Sequence, residues 1–270
     1  MAEIGQNHQG DTYHALRLME TAAKAGADYL KLQARDRFEE FSTARLAEPY
    51  RGRNSFGATY GEHREQLDFN WDDFAHLKHR HEYNNNPAEL FTTVCAVRWI
   101  PWLEKNNWCR FYKVASKDMA NKDLIDELAR TGKPLIISTG KAKDFREVSQ
   151  AYNRAAKHTE VVLMHCVSKY PLPIEEANLQ RIELLRKEFG CLVGYSDHTA
   201  GVKAPVVAAI KYNPCLIEVH VTMNRAQPGT DHAASLEPPG LASLCQWIKE
   251  AESMLAHREP TVLDQITASF

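Results

Sequence analysis

VVLMHCVSKYPLPIEEANLQRIELLRKEFGCLVGYSDHTAGVKAPVVAAIKYNPCLIEVHV, residues 161–221, holds three short apolar runs separated by longer polar stretches. Val161 to Cys166, Cys191 to Tyr195 and Leu216 to Val221 are rich in Val, Leu, Ile and Tyr. Runs of this length bounded by Gly, Pro or Asn read as strands. Between the first two, Asn178 to Phe189 places Leu179, Ile182, Leu184 and Leu185 at helical spacing. A strand, a helix and a strand in succession is the βαβ unit, which pairs its strands in parallel.

The same alternation extends to both ends of the chain. Further strand candidates are Ala2 to Gly5, Asp28 to Gln33, Leu90 to Val94, Phe111 to Ala115 and Pro134 to Ser138. Each precedes a helix candidate, as Ala2 to Gly5 precedes Thr12 to Ala25 with its apolar Ala15, Leu16, Met19, Ala22 and Ala23. Eight such units predict an α/β fold, a (β/α)8 TIM barrel, rather than an open doubly wound sheet. The composition, 44% hydrophobic and 25% charged over 270 residues, supports one large core and a single domain spanning 1–270. One long interruption, at about 34–70, is rich in Arg, Glu, Gly and Tyr and reads as a loop insertion that is functional or disordered.

A formal net charge of -2 gives no electrostatic reason to expect nucleic acid or an anionic membrane as partner. Six cysteines lie scattered without CxxC spacing, several in apolar runs, which points to a reducing, cytoplasmic location. The amino terminus, MAEIGQNHQGD, has no apolar h-region, and no apolar run approaches the length of a spanning helix. The expected partner is a small molecule, and a homo-oligomer is compatible with the sequence. GxxxxGK[ST], GxGxxG between strand and helix, and GxSxG are all absent, which disfavours an NTPase, a dinucleotide enzyme and a serine hydrolase.

In a βα barrel the site lies at the carboxyl ends of the strands, so polar residues ending apolar runs are the ones to collect. They include Glu3, Lys31, Gln33, Thr93, Lys113, Ser116, Asp118, Ser138, Ser168, Tyr170, Ser196, His198, Glu218, His220 and Asp231. Lys31 and Lys113 sit inside apolar strands, where an isolated cation is costly, so each faces an anion or a carboxylate, with phosphate the natural guess. His198 and His220 end consecutive strands and converge as a pair suited to a divalent cation, with Asp231 as a further oxygen. Two histidines leave positions open for water or substrate, as a Lewis-acid site requires.

At these residues the sequence resembles the sialic acid synthase family. The likeness is carried by AEIGQNHQGD at 2–11, KAGADYLKLQ at 24–33, TYGEHRE at 59–65, FYKVASKD at 111–118, GKPLIISTG at 132–140, HCVSKYPLP at 165–173, GYSDHTAG at 194–201, IEVH at 217–220 and GTDHAASLEP at 229–238. The resemblance implies a (β/α)8 barrel that condenses phosphoenolpyruvate with N-acetylmannosamine or a related sugar aldehyde, releasing phosphate by C–O cleavage. It makes His198 and His220 the ligands of Mn, Mg or Co. It places Lys31, Thr93, Lys113, Ser116, Ser138, Ser168, Tyr170 and Ser196 around phosphoenolpyruvate, Ser168 standing where some members have Asn. Glu3, Gln33, Asp118 and Asp231 then face the sugar and the reacting carbons, with Glu3, Asp118 and Gln33 as the catalytic set.

Three departures from the family pattern stand out. The chain begins at the AEIG block, which implies a clipped first strand and a weak barrel seam. It lacks the carboxy-terminal antifreeze-like domain whose arginine reaches a partner subunit's sugar site. Lys117 and Lys141 stand where Gly and Met are common, and with Arg51, Arg53, Glu62, His63 and Arg64 of the long loop they are candidates to complete the sugar site, favouring an anionic acceptor. The competing readings are a synthase for a different ulosonic acid and a catalytically silent barrel serving surface-polysaccharide synthesis.

Overall fold

The computed structural model describes residues 1–255; the end of the expected domain range, 256–270, lies outside the described residues. Eight parallel strands close into a barrel in sequence order. They are β1 (Ala2–Glu3), β2 (Tyr29–Ala34), β3 (Glu89–Val94), β4 (Tyr112–Val114), β5 (Leu135–Ser138), β6 (Val161–His165), β7 (Val193–Asp197) and β8 (Ile217–His220). β1 is shorter than the expected Ala2 to Gly5 because the chain turns at Gly5, where φ is +55°. It nevertheless bonds on both edges, Glu3 standing beside Lys31 of β2 and His220 of β8, so the expected weak seam is a paired one.

The helices up to the third strand are α1 (Thr12–Lys24), α2 (Arg37–Glu40), α3 (Thr43–Ala47), α4 (Tyr60–Leu67) and α5 (Trp71–Tyr83). The remainder are α6 (Ile100–Lys105), α7 (Lys122–Arg130), α8 (Phe145–Ala155), α9 (Arg181–Phe189), α10 (Lys203–Val207) and α11 (Pro238–Leu255). Their starts follow from local chemistry. Asp11, Asn121 and Asp144 accept hydrogen bonds from the free N–H groups that open α1, α7 and α8. α1 then buries Ala15, Leu18, Met19 and Ala22 against the barrel. No described helix is long and apolar enough to cross a membrane.

Strand parity separates packing from chemistry. In β2, Leu30, Leu32 and Ala34 are buried in the hydrophobic core, while the alternating Lys31 and Gln33 line a cavity at the carboxyl end of the barrel. The segment at 34–70 is more ordered than a loop insertion: it carries α2, α3 and α4, and α4 opens with a capping box between Thr59 and Glu62. Gly10 seats the turn after β1 against α4, since a Cβ there would fall 1.8 Å from the Gln66 carbonyl oxygen. His8 of that turn stacks on Phe69 with ring centroids 3.8 Å apart.

Candidate active site

The strand ends enclose a cavity of about 250 Å³ whose wall includes Glu3, Lys31, Gln33, Thr93, Lys113, Ser116, Ser138, Ser168, Tyr170, Ser196, His198, His220 and Asp231. Of the strand-end residues collected from the sequence, Asp118 alone is off this wall, and Arg51, Arg53, Glu62, His63 and Arg64 of the long segment are off it too. The Asp118 carboxylate is turned to the Lys117 ammonium at 2.8 Å, in the 3₁₀ turn Ser116–Asp118 that follows β4. Asp118, expected to face the reacting carbons, is paired here with Lys117, itself a residue of the cavity wall. A larger cavity of about 620 Å³ opens elsewhere, between Met1, Tyr29 and Leu244, but no histidine reaches its wall.

One side of the cavity is a compensated charge cluster. Lys113 donates to both oxygens of Glu218, at 2.8 and 2.9 Å. Lys31 donates to the Thr93 hydroxyl at 2.8 Å, is ion-paired with Glu3, and lies 3.6 Å from Glu218. Ser196 donates to Glu218 at 3.0 Å, and the Gln33 amide donates to Glu3 at 2.6 Å. Burial raises the pKa of the Glu218 carboxyl, but Lys113 and Lys31 outweigh it and hold the group below the usual carboxylate range. Burial likewise works against the Lys31 ammonium, and Glu218 and Glu3 more than offset it. Two cations beside two carboxylates satisfy the rule that buried charges are paired. The lysines thus meet carboxylates directly. The Ser138 hydroxyl is buried with no hydrogen-bond partner among the described residues, and the Ser116 and Ser168 hydroxyls share a 2.8 Å hydrogen bond.

Two imidazoles adjoin this cluster, His198 Nε2 lying 3.4 Å from the Ser196 hydroxyl. His198 and His220 have ring centroids 5.5 Å apart. Burial, followed by the neighbouring His220, lowers the His198 pKa to about 3, so its ring is neutral near pH 7. Its Nδ1 lies on the Val167 carbonyl oxygen, which assigns the proton to Nδ1 and leaves Nε2 as the lone-pair atom facing Tyr170 Oη at 2.9 Å. His220 Nδ1 is buried, has no hydrogen-bond partner among the described residues and stands 3.6 Å from Asp231 Oδ2.

The extra mouth charges are largely spent inside the protein. Lys117 donates to Glu40 at 2.8 Å as well as to Asp118, Arg53 donates to the Ala226 carbonyl, and Glu62 caps its own helix. Lys141 lies on the cavity wall.

The chain matches the NeuB family over residues 18–259. It is 35% identical over 258 residues to N-acetylneuraminate-9-phosphate synthase of Mus musculus, covering 94% of this chain and 70% of that protein. The chain belongs to the NeuB family. N,N'-diacetyllegionaminic acid synthase of Campylobacter jejuni is 33% identical over 264 residues, 94% of this chain and 76% of that one. The crystal structure of the N-acetylneuraminic acid synthetase of Leptospira borgpetersenii with citrate superposes with a TM-score of 0.85 at 30% identity, covering 99% of this chain and 89% of the other.

The donor set of this NeuB-family chain fits a divalent cation in an open site. Among the described residues no three His, Cys, Asp or Glu groups form a closed metal cage. A neutral imidazole with its Nε2 unprotonated, and a second whose Nδ1 is buried without a partner, are nonetheless suitable ligands. A site built on two imidazoles leaves the remaining positions to water or substrate.

Glu218 is the residue that the strand-end reading had in view but left out of the site. The clue is parity: in IEVH, Glu218 and His220 alternate with Ile217 and Val219 and therefore share a side of β8. Gly140 is a further missed constraint. A Cβ there would fall 2.6 Å from Cys166 Sγ and 2.7 Å from Ser168 Oγ. Gly140→Ala is therefore expected to displace Ser168 and to destabilise the fold by about 1–3 kcal/mol, measured by urea unfolding, and to weaken binding of phosphoenolpyruvate. Unaltered stability and binding would contradict the crowding.

Proposed function

We propose that the chain is a phosphoenolpyruvate-utilising, C–C bond-forming transferase that joins phosphoenolpyruvate to an N-acetylmannosamine-like sugar aldehyde, making a sialic-acid-type nonulosonic acid and releasing phosphate. The observation that carries this reading is the single cavity in which Lys31, Lys113 and serine hydroxyls face the neutral imidazole of His198 and its neighbour His220. Family membership supports it, since relatives named for nonulosonic acid synthesis share most of this chain. The six free thiols suit a cytoplasmic enzyme.

Lys31 and Lys113 attract the anion, while Thr93, Ser116, Ser138, Ser168 and Ser196 supply hydroxyl groups to it. Mn, Mg or Co held by His198 and His220 supplies, when bound, a Lewis acid for the aldehyde oxygen. C3 of the enol forms the new bond to the aldehyde carbon, and the alkoxide that results takes a proton. Water adds at C2, and Glu3, held by Gln33, takes the proton that it loses. The C2–O bond to phosphate then breaks, its electron pair leaving with the phosphate, which also takes the proton of the C2 hydroxyl as that group becomes the ketone. Asp231 and Tyr170 orient the acceptor.

Phosphoenolpyruvate labelled with ¹⁸O in its bridging oxygen tests the chemistry. Label recovered in inorganic phosphate, only when sugar is present, supports C–O cleavage; label retained in the organic product would overturn it.

A further inference from the structure

The segment after β2 contributes one more feature that bears on the site. Arg64 of α4 is buried, paired with Asp68, and donates through its Nη1 to Gln6 Oε1 at 2.8 Å. Because an arginine only donates, the Gln6 amide must turn its oxygen to Arg64 and its NH₂ the other way. That NH₂ donates to Thr230 Oγ1 at 2.6 Å and to Asp231 Oδ1 at 3.3 Å. Thr230 in turn donates to the same Asp231 oxygen at 2.7 Å. With Oδ1 occupied, Oδ2 is the oxygen left toward His220. Gln6 itself is on the cavity wall.

We propose that Arg64 is a positioning residue for the acceptor sugar: it fixes the Gln6 amide, which fixes Asp231, so α4 sets one wall of the acceptor site without itself lining the cavity. The turn that carries Gln6 is seated on α4 by Gly10 and on the link after α4 by the His8–Phe69 stack, so the relay joins two parts already packed as one unit. Asp68 also lies 3.7 Å from Arg35, which pairs with Glu40, so the salt links around the mouth run continuously from Lys117 to Arg64. The inference rests on the proposed reaction for its functional meaning and on the hydrogen-bond polarity for its geometry.

Gln6→Glu separates positioning from stability. The variant keeps, and strengthens, the acceptor that Arg64 needs, so the Arg64 pairing itself is retained. It removes the donor to Asp231 and sets a second carboxylate beside it. The expected result, with Mn²⁺ and either N-acetylmannosamine or its 6-phosphate, is an acceptor KM raised roughly 10- to 100-fold with KM for phosphoenolpyruvate within about twofold. Arg64→Gln should raise the acceptor KM too, and the double variant should be no worse than the poorer single one, because the residues act in series. Unchanged acceptor KM in Gln6→Glu, or strictly additive effects, would overturn the proposal. A crystal structure of Gln6→Glu decides the geometry without turnover: Asp231 rotated from its place beside His220 supports the relay, and Asp231 unmoved refutes it. If the unaltered chain releases no phosphate with either sugar, the proposed reaction fails while that structural comparison still stands.

Discussion

Lys113→Ala is expected to lower kcat/KM for phosphoenolpyruvate by roughly 10²–10³, the usual cost of removing one preorganised electrostatic group. The same change strips Glu218 of the ammonium that it accepts at 2.8 and 2.9 Å. Breaking a buried pair from one side costs about 3–5 kcal/mol. The lower end applies here, because Lys31 remains 3.6 Å from Glu218 and Ser196 still donates to it. Adding Glu218→Gln to Lys113→Ala should recover much of the stability in urea unfolding while leaving catalysis impaired. Full activity in the double variant would show that the pair is structural only. Unchanged affinity of Lys113→Ala for phosphoenolpyruvate would remove the lysine from the anion site.

His198→Ala and His220→Ala are expected to weaken Mn²⁺ binding and to reduce phosphate release, each by at least about 100-fold. Both imidazoles are needed because no closed cage stands behind them among the described residues. Titration calorimetry with Mn²⁺ alone reads the binding independently of turnover. Wild-type Mn²⁺ affinity in either variant would show that the ring concerned is not a ligand. Tyr170→Phe provides a contrast: it removes the hydroxyl facing His198 Nε2 and keeps both rings, so Mn²⁺ affinity should be retained.

The barrel was legible because each strand is short, apolar and followed by a helical period, and because parity along β2 sets Lys31 and Gln33 apart from Leu30, Leu32 and Ala34. Most of the cavity wall followed from asking which polar residues end those strands. The partners of the lysines did not. Lys113 and Glu218 are 105 positions apart and meet only across the closed barrel. Nor did the pairing of Asp118, which is local: the 3₁₀ turn after β4 brings its neighbour Lys117 within ion-pair distance, and Lys117 also takes Glu40 from the long segment. That segment read as loop because α2 and α3 span four and five residues, too short to show an apolar stripe. Gln6 lay hidden inside AEIGQNHQGD, where nothing in the sequence tells which end of its amide faces Asp231.

In the proposed reaction this cavity couples phosphoenolpyruvate to a sugar aldehyde through residues His198, His220, Lys31 and Lys113. Its most direct test is phosphate release from phosphoenolpyruvate with N-acetylmannosamine, with N-acetylmannosamine 6-phosphate and without sugar, each assayed with Mn²⁺ and with a chelator. The predicted result is phosphate that appears only with sugar and metal together, in equal amount to a nonulosonic acid product. Phosphate formed equally without sugar, or no phosphate under any condition from chain that binds both Mn²⁺ and phosphoenolpyruvate, would contradict it.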